Sequence, residues 1–200
     1  MNQPFVLPAT RSRIPRRNKV IIALAVLPGV LVAALVMLRV CGVLRPYNVP
    51  TSAMSPAARP GDHILAEGLS YRFGKVKRGD IIAFETDHIP GATRTGPPTI
   101  FLKRVAGLPG ERVRIESGKL YINDAAVALT NCAGGIHHAN VGNFSSPAYT
   151  ATVPARHYFV LGDTSTNSFD SRFWGFVPRD AILGRAFFRY APLSRWGRVQ

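Results

Sequence analysis

The chain has 200 residues, 46% of them apolar, and carries 25 Lys and Arg against 11 Asp and Glu for a formal charge of +14. That length admits one compact domain with an appended segment and excludes a larger multidomain array, while the apolar fraction supplies a core. The basic excess forms no basic-aromatic stripe and no recognised nucleic-acid module, which excludes nucleic acid as partner and leaves anionic lipid headgroups or a plain solvated surface.

Residues 1–19 hold Arg11, Arg13, Arg16, Arg17 and Lys19 and no acid, a basic segment followed by an uncharged apolar run of 19 residues over 20–38. At about 1.5 Å per residue such a helix is roughly 28 Å long, close to the roughly 30 Å hydrocarbon thickness of a bilayer, so 20–38 reads as a transmembrane helix. A cleaved secretory signal fits less well, because its apolar region runs about 7 to 15 residues and ends at small residues, unlike Arg39-Val40-Cys41. Pro28-Gly29 is tolerable in a membrane span. Five cations before the run against Arg39 and Arg45 after it place 1–19 in the cytoplasm and 41–200 outside a single-pass cytoplasmic (inner) membrane anchor. Subtracting those five leaves +9 on the remainder, in scattered positions. Cys41 and Cys132 are either free thiols or a disulfide, since their separation in sequence carries no information on proximity.

Beyond the run the pattern changes to short alternating or β-rich stretches, and strands are predicted at 63–66, 80–85, 100–105, 112–115, 119–122, 158–161 and 181–189. Ser117-Gly118 and Asn123-Asp124 bracket 119–122 as the turns of a small hairpin. The exported domain, 41–200, is therefore mainly β. Residues 86–99 and about 130–153 are rich in Gly, Pro, Ser, Thr and Asn and read as loops, the second as an irregular insertion.

Four motifs then stand in order. They are the segment 49–60 around Pro50-Thr51-Ser52-Ala53-Met54-Ser55-Pro56; Arg78-Gly79-Asp80-Ile81-Ile82-Ala83-Phe84; Lys103-Arg104-Val105-Ala106-Gly107-Leu108-Pro109-Gly110-Glu111; and Gly162-Asp163 through Asn167-Ser168-Phe169-Asp170-Ser171-Arg172-Phe173-Trp174-Gly175. Behind a single N-terminal span, this series resembles the type I signal peptidases, serine-lysine dyad peptidases of the bacterial cytoplasmic membrane. The resemblance covers about residues 20–190. It implies a signal-peptidase-like β domain, an anchored endopeptidase that cleaves signal peptides from exported precursor proteins, contact with membrane lipid, and neither metal nor cofactor.

The resemblance also assigns roles. Lys103 becomes the general base, Ser168 orients it, and Asp170 with Arg172 forms a structural ion pair near the site. The Ala53 backbone amide and the Thr51 hydroxyl become oxyanion donors, which in this chemistry are worth about 2.7–4 kcal/mol each. A lysine serves as base only when neutral, so its pKa must fall by about three units from its reference near 10.4, and burial among Ile100, Phe101, Leu102 and Val105 is the expected cause. The chain departs from the family pattern twice. Ala53 occupies the nucleophile position, where the serine is missing, and Thr164-Ser165-Thr166 replaces a more charged triplet, so a local charge network is expected to be lost.

If 51–55 is extended, Thr51 and Ser55 share the face of Ala53 while Ser52 points away, and each same-face hydroxyl is displaced by about 6.6 Å. That is more than twice the roughly 2.6–3.2 Å over which a base reaches its proton. Ser55 or Ser52 could serve as nucleophile only from a shifted turn. Four readings stay open: a working peptidase with a relocated hydroxyl, a non-cleaving homologue that binds signal peptides, a catalytically disabled variant, and a membrane-anchored β scaffold.

Overall fold

The computed structural model describes residues 16–87, 89–92, 99–129, 138–139, 141–142 and 150–199, with the side chains of Ile21 and of 24–40 in the first helix. They fall into two units, Met1–Cys41 and Gly42–Gln200. In the first, helix α1 covers Arg16–Val40 and so extends past the predicted 20–38 run at both ends. Ile21, Leu24, Leu27, Leu31 and Leu35 all stand exposed along it. Among the described residues no helix is long and apolar enough to cross a membrane. Cys41 is an exposed free cysteine, and Cys132, its suggested partner, lies outside the described residues.

The second unit is mainly β, as expected. Its strands are β1 (Leu44–Asn48), β2 (His63–Glu67), β3 (Ile81–Glu85), β4 (Ile100–Gly107), β5 (Arg112–Glu116), β6 (Lys119–Ile122), β7 (Ala125–Val127), β8 (Ala151–Thr152), β9 (His157–Leu161), β10 (Val177–Pro178), β11 (Ile182–Ala191) and β12 (Gly197–Arg198). Helices α2 (Leu69–Phe73) and α3 (Ser171–Trp174) are short. All seven predicted runs are strands. The sequence reading missed β1, β7, β8, β10 and β12, which are too short or too polar to alternate. The predicted insertion about 130–153 lies largely outside the described residues, but its end is ordered as β8.

Two antiparallel sheets result. The larger follows the order β1-β2-β11-β3-β4-β9-β10, with β12 on β11, and the smaller the order β7-β6-β5-β8. The predicted hairpin turns are tight because their residues accept positive φ: Ser117 and Gly118 at 48° and 77°, Asn123 and Asp124 at 49° and 69°.

Period-two alternation divides the core. In β9, Tyr158 and Val160 join one apolar cluster with Ile82, Phe84 and Val105, while Phe159 and Leu161 join a second with Val113, Ile115 and Leu120 from the small sheet. β9 is thus buried on both faces and joins the two clusters. β4 gives Val105 to the first cluster and Ala106 to the second, and packs closely on the second at Gly107, where a Cβ would lie 2.6 Å from Val113 Cγ2 and 3.1 Å from Phe159 Cβ. A third cluster, with Met54, Ala58, Ile64, Ile81 and Ala186, fastens the segment after β1 onto the large sheet.

Candidate active site

Lys103 lies in the interior of β4, opposite Ile82 of β3, and is only 5% exposed. Its Nζ donates a 2.9 Å hydrogen bond to Ser168 Oγ and lies 5.6 Å from the centre of the Phe101 ring. Burial, by penalising the charged form, lowers its pKa to about 8; Asp170 and Asp163 oppose that shift and Arg172 adds to it. The expected cause is therefore the dominant one.

Ala53 sits in a 3-10 turn, Ser52–Met54, following Thr51, whose backbone is extended and whose side chain is exposed. This corrects the extended reading of 51–55. Near three residues per turn, the alternate-face argument for Thr51, Ser52 and Ser55 no longer applies. The turn forms because Met54, 2% exposed, anchors it in the third cluster, and because the loop after β9 holds it from the other side. Thr164 N donates to Ala53 O at 3.0 Å, and its Oγ1 bridges Ser52 O at 2.8 Å and Ser55 O at 3.0 Å. Asn167 Nδ2 donates to Ser52 Oγ at 2.8 Å.

That loop is held in turn by a buried ion pair. Arg172 and Asp170 are fully buried, and the guanidinium grips the carboxylate through Nε and Nη2 at 2.8 Å each. Its remaining donors reach Ser165 Oγ at 2.6 Å, Ser165 O at 2.7 Å, Ala139 O at 3.0 Å and Ser168 O at 3.3 Å. Asp170 also accepts from Gly162 N at 2.9 Å. A second buried pair, Arg104 Nη2 with Asp163 Oδ2 at 2.6 Å, ties β4 to the end of β9. The triplet Thr164-Ser165-Thr166 brings no charge of its own; the two ion pairs here come from residues outside it, with Ser165 serving as a neutral acceptor.

Beside this apparatus opens a cleft of about 810 Å³, lined by Thr51, Ser52, Ala53, Lys103, Asn167 and Ser168 among others. Lys103, Ser168, Thr51, Ser52 and Ala53 are therefore brought together. Asp170 and Arg172 lie behind the wall, and Ser55, half-buried, is held through its carbonyl by Thr164. Sequence reasoning missed Thr164, whose bonds span 109 and 112 positions and leave no local signal. It also passed over Gly162, although Gly162-Asp163 lay inside a quoted motif. A Cβ at 162 would fall 2.1 Å from Ser168 Oγ and 2.7 Å from Ala53 O, so the bare glycine lets the lysine's partner and the turn approach.

A family model described as "Signal peptidase, peptidase S26" matches residues 21–191. The probable signal peptidase I-2 of Synechocystis sp. is 37% identical over 153 residues, which cover 74% of this chain and 64% of that protein. Signal peptidase I of Leptolyngbya laminosa is 37% identical over 157 residues, covering 76% and 70% respectively. Signal peptidase I V of Bacillus subtilis is 35% identical over 147 residues, 69% of this chain and 80% of that one. The chain thus spans a little under two thirds of the Synechocystis protein. A crystal structure of a signal peptidase I from Enterococcus faecalis is 32% identical and overlaps 56% of this chain with a TM-score of 0.40.

Gly162→Ala should drive Ser168 from Lys103 and cost about 1–3 kcal/mol, seen as a lower urea midpoint at unchanged slope; an unaltered midpoint would contradict the close approach. Lys103 yields a pH dependence of fixed sign. With a folded pKa of about 8 against 10.5 for the unfolded chain, the unfolded state binds more protons between those values, so stability rises with pH across that window. The rise is about 3 kcal/mol, and it should vanish in Lys103→Met when urea titrations of both proteins are compared at several pH values.

Proposed function

The chain belongs to the signal peptidase family, peptidase S26, and from that premise we propose that it is a membrane-anchored endopeptidase removing signal peptides from exported precursor proteins. One observation carries this reading: a buried lysine with a lowered pKa lies 2.9 Å from a serine hydroxyl in the wall of a cleft, beside the turn that holds the nucleophile position. A base poised near neutrality suits proton transfer at physiological pH.

In this reading Lys103 is the general base, Ser168 its hydrogen-bonding partner, and the precursor's cleavage region lies extended in the cleft beside Thr51. The N–H groups that open the 3-10 turn have no partner within it, so the Ala53 amide is available to a developing oxyanion, with the Thr51 hydroxyl as second donor. Asp170 and Arg172 hold the loop and take no chemical step. Ala53 brings no oxygen, which makes the chain slow.

The apolar run of 20–38 is the membrane anchor, with 1–19 in the cytoplasm and 41–200 outside. Its exposed leucines and valines support that role, as lipid would cover what the protein leaves bare. The exposed Trp196 and Leu193, near Arg195, are suited to the headgroup level of an anionic leaflet.

Restoring the missing oxygen tests the chemistry. Ala53→Ser should raise cleavage of a signal-peptide-bearing precursor in detergent micelles at least about a hundredfold, roughly 2.7 kcal/mol of transition-state stabilisation. Adding Lys103→Ala should abolish that gain; equal rates with and without the added hydroxyl would sink the reading. For topology, a reporter fused after Gln200 should be exported and stay with membranes through carbonate washing, whereas a soluble product beginning near Gly42 would refute the anchor.

A further inference from the structure

Ala53 leaves the base without its usual client, yet Lys103 is not without a hydroxyl. Among the described residues, Ser168 Oγ is the one hydroxyl hydrogen-bonded to Lys103 Nζ, and its 2.9 Å separation lies inside the roughly 2.6–3.2 Å over which a base removes a proton. We propose that Ser168, in the wall of the cleft, supplies the attacking oxygen that Ala53 lacks. This rests on the reading of the cleft as a peptide-cleaving site.

Among the described residues, none of the hydroxyls flanking Ala53 is hydrogen-bonded to Lys103. Ser52 Oγ accepts from Asn167, Ser55 is fixed by the grip of Thr164 on its carbonyl, and Thr51 is exposed on the rim. Ser168 is 6% exposed and lines the cleft together with Lys103 and Ala53. Its hydroxyl packs over bare Gly162, at the same point where Ala53 O comes close. The alanine methyl ends one atom short of a serine side chain, and Ala53 and Ser168 line the same cleft. Its backbone is already held for the purpose, since Arg172 Nη2 donates to Ser168 O at 3.3 Å and Asp170 follows two residues later.

The step balances with these groups alone. Neutral Lys103 Nζ takes the Ser168 hydroxyl proton as Oγ bonds to the scissile carbonyl carbon. The carbon–nitrogen bond breaks and the ammonium returns that proton to the leaving amine. Water then gives a proton to Lys103 and its hydroxyl to the acyl carbon, and the ester bond to Oγ breaks as the Lys103 ammonium returns that proton to Oγ. Ser168 is thereby a catalytic residue in this chain, where Ala53→Ser would make it a positioning residue.

The test is to trap the acyl group. The full chain in detergent micelles is treated with a nitrophenyl ester of a peptide ending in small residues, quenched in acid, and the acylated residue mapped by mass spectrometry, while fluorescence anisotropy follows binding of a labelled non-hydrolysable peptide. The adduct should map to Ser168, disappear in Lys103→Ala and in Ser168→Ala, and move to residue 53 in Ala53→Ser. Precursor cleavage should fall at least a hundredfold in Ser168→Ala. Ser168→Cys keeps the size of the side chain and should carry the acyl group as a hydroxylamine-labile thioester, which guards against a misfolded alanine variant. An adduct on Ser52 or Ser55, or saturable peptide binding with no adduct, would overturn the role of Ser168 and leave the peptide site standing. Absence of peptide binding in a folded protein would overturn both.

Discussion

The buried Asp170–Arg172 pair is the constraint on which the site depends. Neither side chain touches solvent, so each charge needs partners supplied by the protein, and the guanidinium finds its own in the carboxylate, the Ser165 hydroxyl and three backbone carbonyls. Apart from Ala139 O, those partners belong to the loop that carries Ser168. Removing one member of such a pair costs about 3–5 kcal/mol, because the other is left charged and dry. The pair therefore acts on chemistry indirectly: it settles where the 164–168 backbone runs, and that backbone places both the hydroxyl facing Lys103 and the threonine holding the 3-10 turn.

Lys103 shows the same balance at smaller scale. Burial favours its neutral form, Asp170 and Asp163 favour the charged one, and Arg172 counters them. Because Asp170 and Asp163 are each committed to an arginine, at 2.8 Å and 2.6 Å, their field at the amine is partly cancelled. Burial outweighs both acids and Arg172 adds to its effect, so the lysine keeps a lowered pKa beside two carboxylates. The electrostatics of Lys103 and the mechanics of the loop thus share Asp170 and Arg172.

The turn at Ala53 is assembled from both sides. Met54 contributes apolar burial from below, and Thr164 and Asn167 contribute hydrogen bonds from the side, so two segments more than a hundred positions apart in the chain fold into one wall. Gly162 makes this possible by having no side chain at the point where the two meet. The cleft is consequently a product of tertiary docking, although its individual residues are ordinary.

The sequence by itself determined what depends on local pattern and residue chemistry. Alternating apolar residues gave seven strands, paired turn residues gave the small hairpins, and a lysine set in an apolar stretch pointed to a base with a lowered pKa. The resemblance to the signal peptidases, not composition, paired Asp170 with Arg172 and exposed the missing oxygen at Ala53. The tertiary structure alone decided the rest. Strands of two or three residues such as β8 and β10 exist only because a partner strand completes their hydrogen bonds, and no pattern that short announces itself. The segment 51–55 coils instead of extending because Thr164 captures its carbonyls, an interaction with no sequence period. The resemblance already names Ser168 as the partner of Lys103; what the packing of β4 against β9 and the loop after it decides is the 2.9 Å between them.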